Sequence, residues 1–273
     1  MRTSPDVEAT DCAHASVLKR KRADSTPLTP PLSLSDPEAA TSLDRAVHVL
    51  STAATALSQV TLLYQSDHNA RDGMLQAVEC LTRVNRAGGK LLICGVGKSG
   101  LVGRKTVATM KSLGLGCSFL HAAEALHGDL GDIKDNDAVM FISYSGKTPE
   151  LLSVLKHIPR STPILAITSH KSAEQCPLFY NRPGSILLPA PIHELEETSF
   201  GVCAPTTSTT VAIAVGDMLA LTVAEALHDG QTKQVFQRNH PGGAIGAKVQ
   251  HEVVLQDNEE CHTKRQKGLL SPA

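Results

Sequence analysis

Short apolar runs alternate with stretches of helical periodicity over most of this chain. Five of the runs are continuously apolar, which is typical of strands that are buried on both faces of a sheet. The predicted strands are Lys90–Cys94, Cys117–Leu120, Asp137–Ser143, Pro163–Thr168 and Ser185–Leu188. Because helical patterns separate these strands, we predict an α/β fold with a doubly wound, five-stranded parallel sheet flanked by helices.

Apolar residues that recur at helical spacing predict the helices. The first begins near Asp36, where Ser35 or Asp36 is a suitable cap and Pro37 suits the first position. The other predicted helices are Asn69–Arg86, Ser99–Leu113, Thr148–His157, Ser172–Leu178, Pro205–Leu227 and Thr232–Arg238. The first helix and the helix from Pro205 are apolar over more than one face, so they need more cover than one sheet supplies. A partner subunit would provide it, and we therefore predict a homo-oligomer.

The two ends of the chain differ from this pattern. Residues 1–35 are rich in Ser, Thr and Pro and have no apolar periodicity, which predicts a disordered tail. Residues 251–273 are polar and predict a second flexible tail, so that a single domain spans residues 36–250. The first tail carries the basic run Lys19–Arg22. It is either a nuclear-localisation or anionic-surface patch, or a solvated cluster of charges.

Composition excludes several classes of protein. The net charge is −1, aromatic residues make up 3% of the 273 residues and Trp is absent, which argues against nucleic acid as a partner. No apolar run reaches the roughly 18 residues of a membrane span, so no membrane role is expected. The seven cysteines are scattered without a CxxC pair, which indicates a reducing compartment. We expect a cytoplasmic protein, or a nuclear one if the basic run directs it there.

A glycine-rich loop, Gly95–Gly100, follows the first strand and opens a helix. A Walker A loop is rejected because Leu92 stands where that motif needs Gly. A dinucleotide fingerprint matches the glycines but lacks the acidic residue expected after the second strand. Two interpretations remain: a loop that binds a monophosphate or sugar phosphate with Lys98 aimed at the ligand, or a tight turn with Lys98 in solvent.

A second loop, Ser143–Glu150, follows the third strand. Ser145 and Thr148 suit a helix cap and Pro149 suits the first turn, which is a sufficient structural explanation. The hydroxyl groups and free N–H groups of the loop would also form an anion cradle. Two such loops at the carboxyl ends of neighbouring strands lie where α/β sheets bind ligands, so together they predict a ligand site.

Three further polar groups carry possible chemistry. The cluster His121, Glu124, His127 and Asp129 fits no standard zinc spacing, and we favour polar site lining over a metal site. Glu194, Glu196 and Glu197 form either an exposed acidic loop or the source of one carboxylate that acts as a general base. His240 precedes a Pro-Gly-Gly turn and is either a packed cap or an acid/base group.

Five motifs in register give the chain a family resemblance over about Asp36–Val249. The motifs are GVGKSG, HAAEALHGDLG, ISYSGKTPE, APTTSTT and NHPGGAIG. In this order they resemble the sugar isomerase (SIS) domain of arabinose-5-phosphate isomerases of the KpsF/GutQ type. That family interconverts ribulose 5-phosphate and arabinose 5-phosphate without a cofactor. Its members usually continue into a paired CBS module, which we expect this chain to lack.

The resemblance also implies site residues and an assembly. It places catalytic groups at Lys98, Glu150, Glu197 and His240. The substrate-binding positions are Gly97, Ser99, Gly114, Leu115, His127, Ser143, Ser145, Thr148, Thr206, Ser208 and Thr209. His121 matches a histidine that contacts an inhibitory zinc ion. The expected partner is a small sugar phosphate, and the family's usual assembly is a tetramer.

These residues support the hypothesis of aldose–ketose isomerisation through an enediol. Glu150 or Glu197 would remove the proton beside the carbonyl, and Lys98 would stabilise the oxyanion that develops. His240 would move a proton between the two oxygens or carbons. The alternative is a regulator that binds a sugar phosphate without turnover. A sensor has no need of all four catalytic groups, so their joint presence favours an enzyme.

Overall fold

A computed structural model describes residues 37–242 of the chain. The predicted tails, the basic run Lys19–Arg22 and the part of the NHPGGAIG motif after Gly242 lie outside the described residues. The Cα atoms group into two compact units, Met1–Arg45 and Ala46–Ala273. Of the first unit the structure describes residues 37–45, which begin the helix Pro37–Ser66, and the other features below belong to the second unit.

The sheet has the predicted five strands, all parallel, in the spatial order β2-β1-β3-β4-β5. They are β1 Leu91–Gly95, β2 Cys117–His121, β3 Ala138–Ile142, β4 Ile164–Thr168 and β5 Ile186–Pro189. Every residue of β1, β3, β4 and β5 is buried, whereas the edge strand β2 is partly exposed. The continuous apolar runs are therefore explained by helices that cover both faces of the sheet.

Eight α-helices occur within residues 37–242. They are α1 Pro37–Ser66, α2 His68–Arg86, α3 Gly97–Ser112, α4 Ala122–Ala125, α5 Pro149–His157, α6 Glu196–Phe200, α7 Thr207–His228 and α8 Thr232–Asn239. The predicted helix Ser172–Leu178 is wrong, because two short 3₁₀ turns flank Cys176 there and Pro177 provides no backbone donor. The helices α4 and α6 were not predicted because they are too short for a periodic pattern.

Two hydrophobic cores lie on opposite faces of the sheet. Ile93 and Met140 face one core, which α2, α3 and α7 complete. Leu92 and Phe141, their neighbours along the strands, face the second core together with α4 and α5. Since side chains alternate along a strand, this arrangement confirms the doubly wound architecture, with helices on both faces.

Two helices are long and apolar enough to span a membrane by length and hydropathy alone. They are Glu38–Ser66 and Thr207–His228, with mean hydropathies of 1.4 and 1.7. Both helices were predicted to be apolar over more than one face, but neither holds a continuous apolar run, because polar residues such as Ser51 and Thr222 interrupt it. Core helices of compact proteins pass the same test, and α7 packs against α2 and α3. This test therefore assigns no membrane role to either helix.

The order of the strands creates a crevice at one edge of the sheet. From β1 the chain moves outward to β2, and it then returns to the other side of β1 to form β3. The loop after β1 leads to α3 on one face, and the loop after β3 leads to α5 on the other. The two loops diverge between neighbouring strands, which is where open α/β sheets bind ligands.

Candidate functional site

A cavity of about 310 Å³ opens at the carboxyl edge of the sheet. Its walls are the start of α3, the ends of β3 and β4, helix α6 and the start of α7. The polar side chains that line it are Lys98, Ser99, Tyr144, Thr168, Glu196, Ser208 and Thr209. The predicted loop after β1 and the predicted threonine-rich helix start therefore meet at one cavity.

The beginning of α3 provides free hydrogen-bond donors to this cavity. Its N-cap residue, Val96, is extended and has no side chain that caps the helix. The N–H groups of the first turn thus remain open, and the helix dipole adds a partial positive charge there. Lys98 is exposed on the cavity wall and forms no ion pair within the described part of the chain. This end of the cavity is suited to an anion.

Two glycines of the same loop allow the strand and the helix to approach closely. A Cβ atom on Gly95 would lie 3.0 Å from the backbone of Ser99. A Cβ atom on Gly100 would lie 2.9 Å from the carbonyl oxygen of Gly95. The glycine spacing that matched a dinucleotide fingerprint is therefore explained by packing, since larger side chains would push α3 away from β1.

The loop after β3 is held together by its own hydroxyl groups. Ser143 Oγ and Thr148 Oγ1 are 2.8 Å apart, and Gly146 N donates to Ser143 Oγ at 3.1 Å. Ser145 Oγ accepts from the backbone N of Lys147 at 3.2 Å. Thr148 is the N-cap residue of α5. Its side chain does not form the cap hydrogen bond that the capping interpretation required. Tyr144 is the residue of this loop that lines the cavity, whereas the predicted binding residues Ser143, Ser145 and Thr148 are not among its lining residues.

Glu196 caps α7 from the opposite wall. Its Oε1 atom accepts hydrogen bonds from Thr206 N at 2.6 Å, Ser208 N at 3.0 Å and Ser208 Oγ at 2.8 Å. This explains why α7 begins without a cap from its own N-cap side chain. The other carboxylate oxygen, Oε2, makes no hydrogen bond to the described residues. The sequence names Glu196 as one of three candidates for a general base, together with Glu194 and Glu197, whereas the family resemblance points to Glu197.

Three of the four catalytic positions implied by the resemblance lie outside this cavity in a single chain. Glu150 is exposed in the first turn of α5. Glu197 is exposed beside Cys203, and a hydrogen bond to Glu197 is the main cause that raises the pKa of that thiol. His240 donates from Nδ1 to the carbonyl of Phe236 at 2.8 Å, and the two rings stack 4.1 Å apart. That geometry is the packed-cap arrangement considered for His240.

Four further predicted positions lie elsewhere. Leu115 is 4% exposed and packs in a core, so its side chain is not available to a substrate. Gly114 has φ +76° and ends α3, and a Cβ there would lie 2.5 Å from Val235. His127 is exposed after α4. His121 ends β2, and its buried Nδ1 has no hydrogen-bond partner among the described residues. Within residues 37–242 no three His, Cys, Asp or Glu side chains form a group that could hold a metal ion.

The charges around the cavity are arranged for a small polar ligand. Lys98 and Glu196 carry opposite charges on facing walls and form no ion pair with each other. Burial and then the charge of Glu196 raise the pKa of the Tyr144 phenol, so this group is a neutral hydroxyl. The cavity thus offers a cation, a proton acceptor and hydroxyl groups to a bound molecule.

The chain is similar in sequence to proteins of one known family. The family model described as "SIS domain" matches residues 85–222, about half of the chain, and includes both loops and the start of α7. The arabinose 5-phosphate isomerase GutQ of Salmonella typhi is 39% identical over 166 residues, which cover 60% of this chain and 49% of that protein. An uncharacterized protein of Helicobacter pylori strain J99 is 37% identical over 206 residues, 75% of this chain and 58% of that one.

A solved structure is also similar to this chain. A protein of Escherichia coli CFT073, solved in complex with A5P, superposes with a TM-score of 0.60 at 29% identity. The match covers 74% of this chain and 98% of that chain. The chain spans about half the length of the curated relatives it matches.

Proposed function

The chain belongs to the SIS domain family, and on this basis we propose that it is an aldose–ketose isomerase that acts on a sugar phosphate. The proposal rests on the cavity, where Lys98 lies at the uncapped start of α3 and Glu196 lies on the opposite wall. The names of the relatives favour arabinose 5-phosphate and ribulose 5-phosphate as the substrate pair.

The phosphate group would bind at the α3 end of the cavity. There the first-turn N–H groups and Lys98 are open, and the neighbouring loop after β3 carries the hydroxyls of Ser143, Ser145 and Thr148. At the α7 end, the backbone N–H groups of Thr206 and Ser208 already donate hydrogen bonds to the carboxylate of Glu196. Because that carboxylate would repel a dianion, the phosphate belongs at α3 and the reacting carbons belong nearer Glu196.

The reaction would proceed through an enediol. A carboxylate removes the proton from the carbon beside the carbonyl, and the electron pair moves onto the carbonyl oxygen, where Lys98 stabilises the charge. A proton then moves between the two oxygens, and the carboxylate returns its proton to the neighbouring carbon. We assign the carboxylate role to Glu196, since its Oε2 atom is free of hydrogen bonds within the described residues and the residue lines the cavity.

We propose that a neighbouring copy completes the site by contributing His240. Glu150, Glu197 and His240 lie outside the cavity of their own chain, so they can contribute to the reaction only from another subunit or after a rearrangement. The exposed face of α1 supports such an assembly, because Val47, Leu50 and Leu62 are 53%, 72% and 60% exposed. A homo-oligomer, in the family's tetrameric form, would cover these residues and bring His240 to a neighbour's cavity.

A second candidate function rests on the same observation. If no subunit supplies the missing groups, the cavity keeps an anion cradle but lacks three of the implied catalytic residues. The protein would then bind a sugar phosphate as a regulator, without turnover.

One assay separates the two functions. The purified protein is incubated with ribulose 5-phosphate, and the formation of arabinose 5-phosphate is followed over time, with the Lys98→Met variant as the control. Turnover by the wild type that is absent in the variant supports the isomerase. Saturable binding of the sugar phosphate without turnover of any pentose or hexose phosphate supports the regulator.

A further inference from the structure

A second cavity, of about 620 Å³, lies at the edge of the sheet opposite to the candidate site. Ile164 and Ile186, the first residues of β4 and β5, form its floor, and α2 forms one wall. The candidate site lies at the carboxyl ends of the strands, and this cavity lies at their amino ends. None of its lining residues belongs to the sugar-phosphate site.

Three arginines line this second cavity: Arg83, Arg160 and Arg182. Arg182 is 8% exposed and is anchored at the end of α5, where it donates to the carbonyls of Leu155 and Pro159 at 2.8 Å each. It also donates to the carbonyl of Ile158. These bonds fix the guanidinium in place and leave its Nε–H without a partner in the described residues. Arg182 therefore presents a rigid, partly unsatisfied cation.

The other two arginines have no comparable structural role. Arg83 is exposed on α2, and Arg160 is exposed and donates to the carbonyl of Asn181. Within residues 37–242 none of the three forms an ion pair with a carboxylate. Like charges that are not paired with carboxylates repel one another, and a bound anion would reduce that repulsion.

The rest of the lining does not balance the charge. Burial raises the pKa of the Cys80 thiol, which keeps that group neutral in spite of the nearby Arg83. Burial, followed by the charge of Arg160, lowers the pKa of the Arg182 guanidinium. Glu79 is the one carboxylate among the lining residues, so the net charge of the lining is positive.

We propose that this cavity is a second anion site that binds the phosphate group of a small polar metabolite. One arginine side chain can bind two phosphate oxygens at once. Three arginines line this cavity, whose volume is typical of sites for small ligands. The side chains of Gln76, Ser161 and Ser185 in the lining would bind hydroxyl or carbonyl groups of the ligand body. The proposal does not depend on the isomerase activity, because no residue is shared with the first cavity.

The test uses inorganic phosphate as the probe and the full chain as the protein. Phosphate is titrated into the Lys98→Met variant, which weakens the first site, and into the wild type in parallel. Backbone amide NMR shifts are followed at Ser161 and Gly184. We expect saturable shifts at these residues in both proteins, and competition by sulfate but not by chloride at equal ionic strength.

Substitutions on exposed residues localise the binding without disturbing α5. Arg83→Gln or Arg160→Gln is expected to weaken phosphate binding at these reporters at least about tenfold. Arg71→Gln, on an exposed arginine of the same helix α2, is the matched control and should change it less than about twofold. The proposal would be overturned by shifts that do not saturate, by equal displacement with chloride, or by equally weakened phosphate binding in Arg71→Gln. Each of these results would indicate a diffuse electrostatic effect instead of a site.

Discussion

At the scale of single residues, Lys98 combines three properties that rarely occur together. It lies in the first turn of α3, it lines the cavity, and its ammonium group has no protein partner within the described residues. A lysine that maintained the fold would be paired or would cover apolar surface with its stem. The side chain is therefore available to a ligand.

We expect Lys98→Met to lower kcat/KM for the sugar phosphate by about 100-fold or more, because the cation that stabilises the oxyanion is lost. The substitution keeps the bulk of the side chain, and the residue is exposed, so the thermal unfolding midpoint should stay close to that of the wild type. Steady-state kinetics and thermal unfolding measure the two quantities. Near-normal turnover by a folded variant would contradict the oxyanion role.

Two adjacent carboxylates allow a matched comparison. Glu196→Gln retains an oxygen that accepts from Thr206 N and Ser208 N, so α7 keeps its cap while the charge in the cavity is lost. If Glu196 is the proton acceptor, kcat should fall by about 10²–10⁴-fold. Glu197→Gln, on the exposed neighbour, should change kcat by only a few-fold. The reverse pattern would restore Glu197 as the catalytic carboxylate implied by the family resemblance.

At the scale of secondary-structure elements, one buried carboxylate joins the starts of two central strands. Asp137 is 2% exposed and directly precedes β3. Its oxygens accept from Lys90 N at 2.8 Å, Lys90 Nζ at 2.9 Å and Lys134 N at 2.9 Å. Since Lys90 directly precedes β1, this network helps to set the alignment of β1 with β3, and with it the alignment of the two ligand loops.

This network predicts a dependence of stability on pH. Burial is the largest single effect on Asp137 and would raise its pKa, but the hydrogen bonds from Lys90 and Lys134 together hold the pKa below its ordinary value. A carboxylate whose pKa is lower in the folded state stabilises the fold at neutral pH. That contribution decreases as the pH falls through the ordinary carboxyl pKa, and it is lost once the pH is below the folded-state pKa.

We therefore expect Asp137→Asn to destabilise the protein at neutral pH and to make its free energy of unfolding less dependent on pH in the acid range. Urea unfolding at about pH 7 and about pH 4 measures this difference. Asp135→Asn, two residues away at an exposed position, is the control and should behave like the wild type. A variant with the same acid dependence as the wild type would show that Asp137 does not titrate as proposed.

At the scale of the whole molecule, the proposed oligomer would explain both the apolar surface of α1 and the positions of the residues proposed as catalytic. An isolated chain would leave Val47, Leu50 and Leu62 in water and His240 away from the cavity. A neighbouring subunit resolves both features, because it would cover the helix and contribute the histidine.

The prediction for the assembly is that Lys98 and His240 of one working site come from different chains. Lys98→Ala and His240→Ala, each inactive alone, are mixed under conditions that allow subunits to exchange. Some mixed oligomers would then contain one site with both side chains intact, and part of the wild-type activity should return. If native mass spectrometry shows exchange and the activity stays at zero, each site is built within one chain.

The sequence by itself determined the number of strands, their positions along the chain and the positions of the two glycine- and hydroxyl-rich loops, whereas the order of the strands within the sheet came from the structure. Continuous apolar runs are a local signal of strands that are buried on both faces, and each end of β1 to β5 lies within one residue of the prediction. The helix predicted over Ser172–Leu178 failed because Pro177 provides no backbone donor. The helices α4 and α6 were missed because segments this short do not show a repeating apolar pattern.

Tertiary structure alone decided which side chains share the cavity. Glu194, Glu196 and Glu197 are equivalent by local pattern, but the unsatisfied N–H groups at the start of α7 bind Glu196. Leu115 and His240 occupy motif positions, yet one packs in a core and the other stacks on Phe236. The arginines of the second cavity come from α2 and from the segments before β4 and β5, and no local pattern relates them. Contacts between segments far apart in sequence depend on how the elements pack, so they become visible only in the folded molecule.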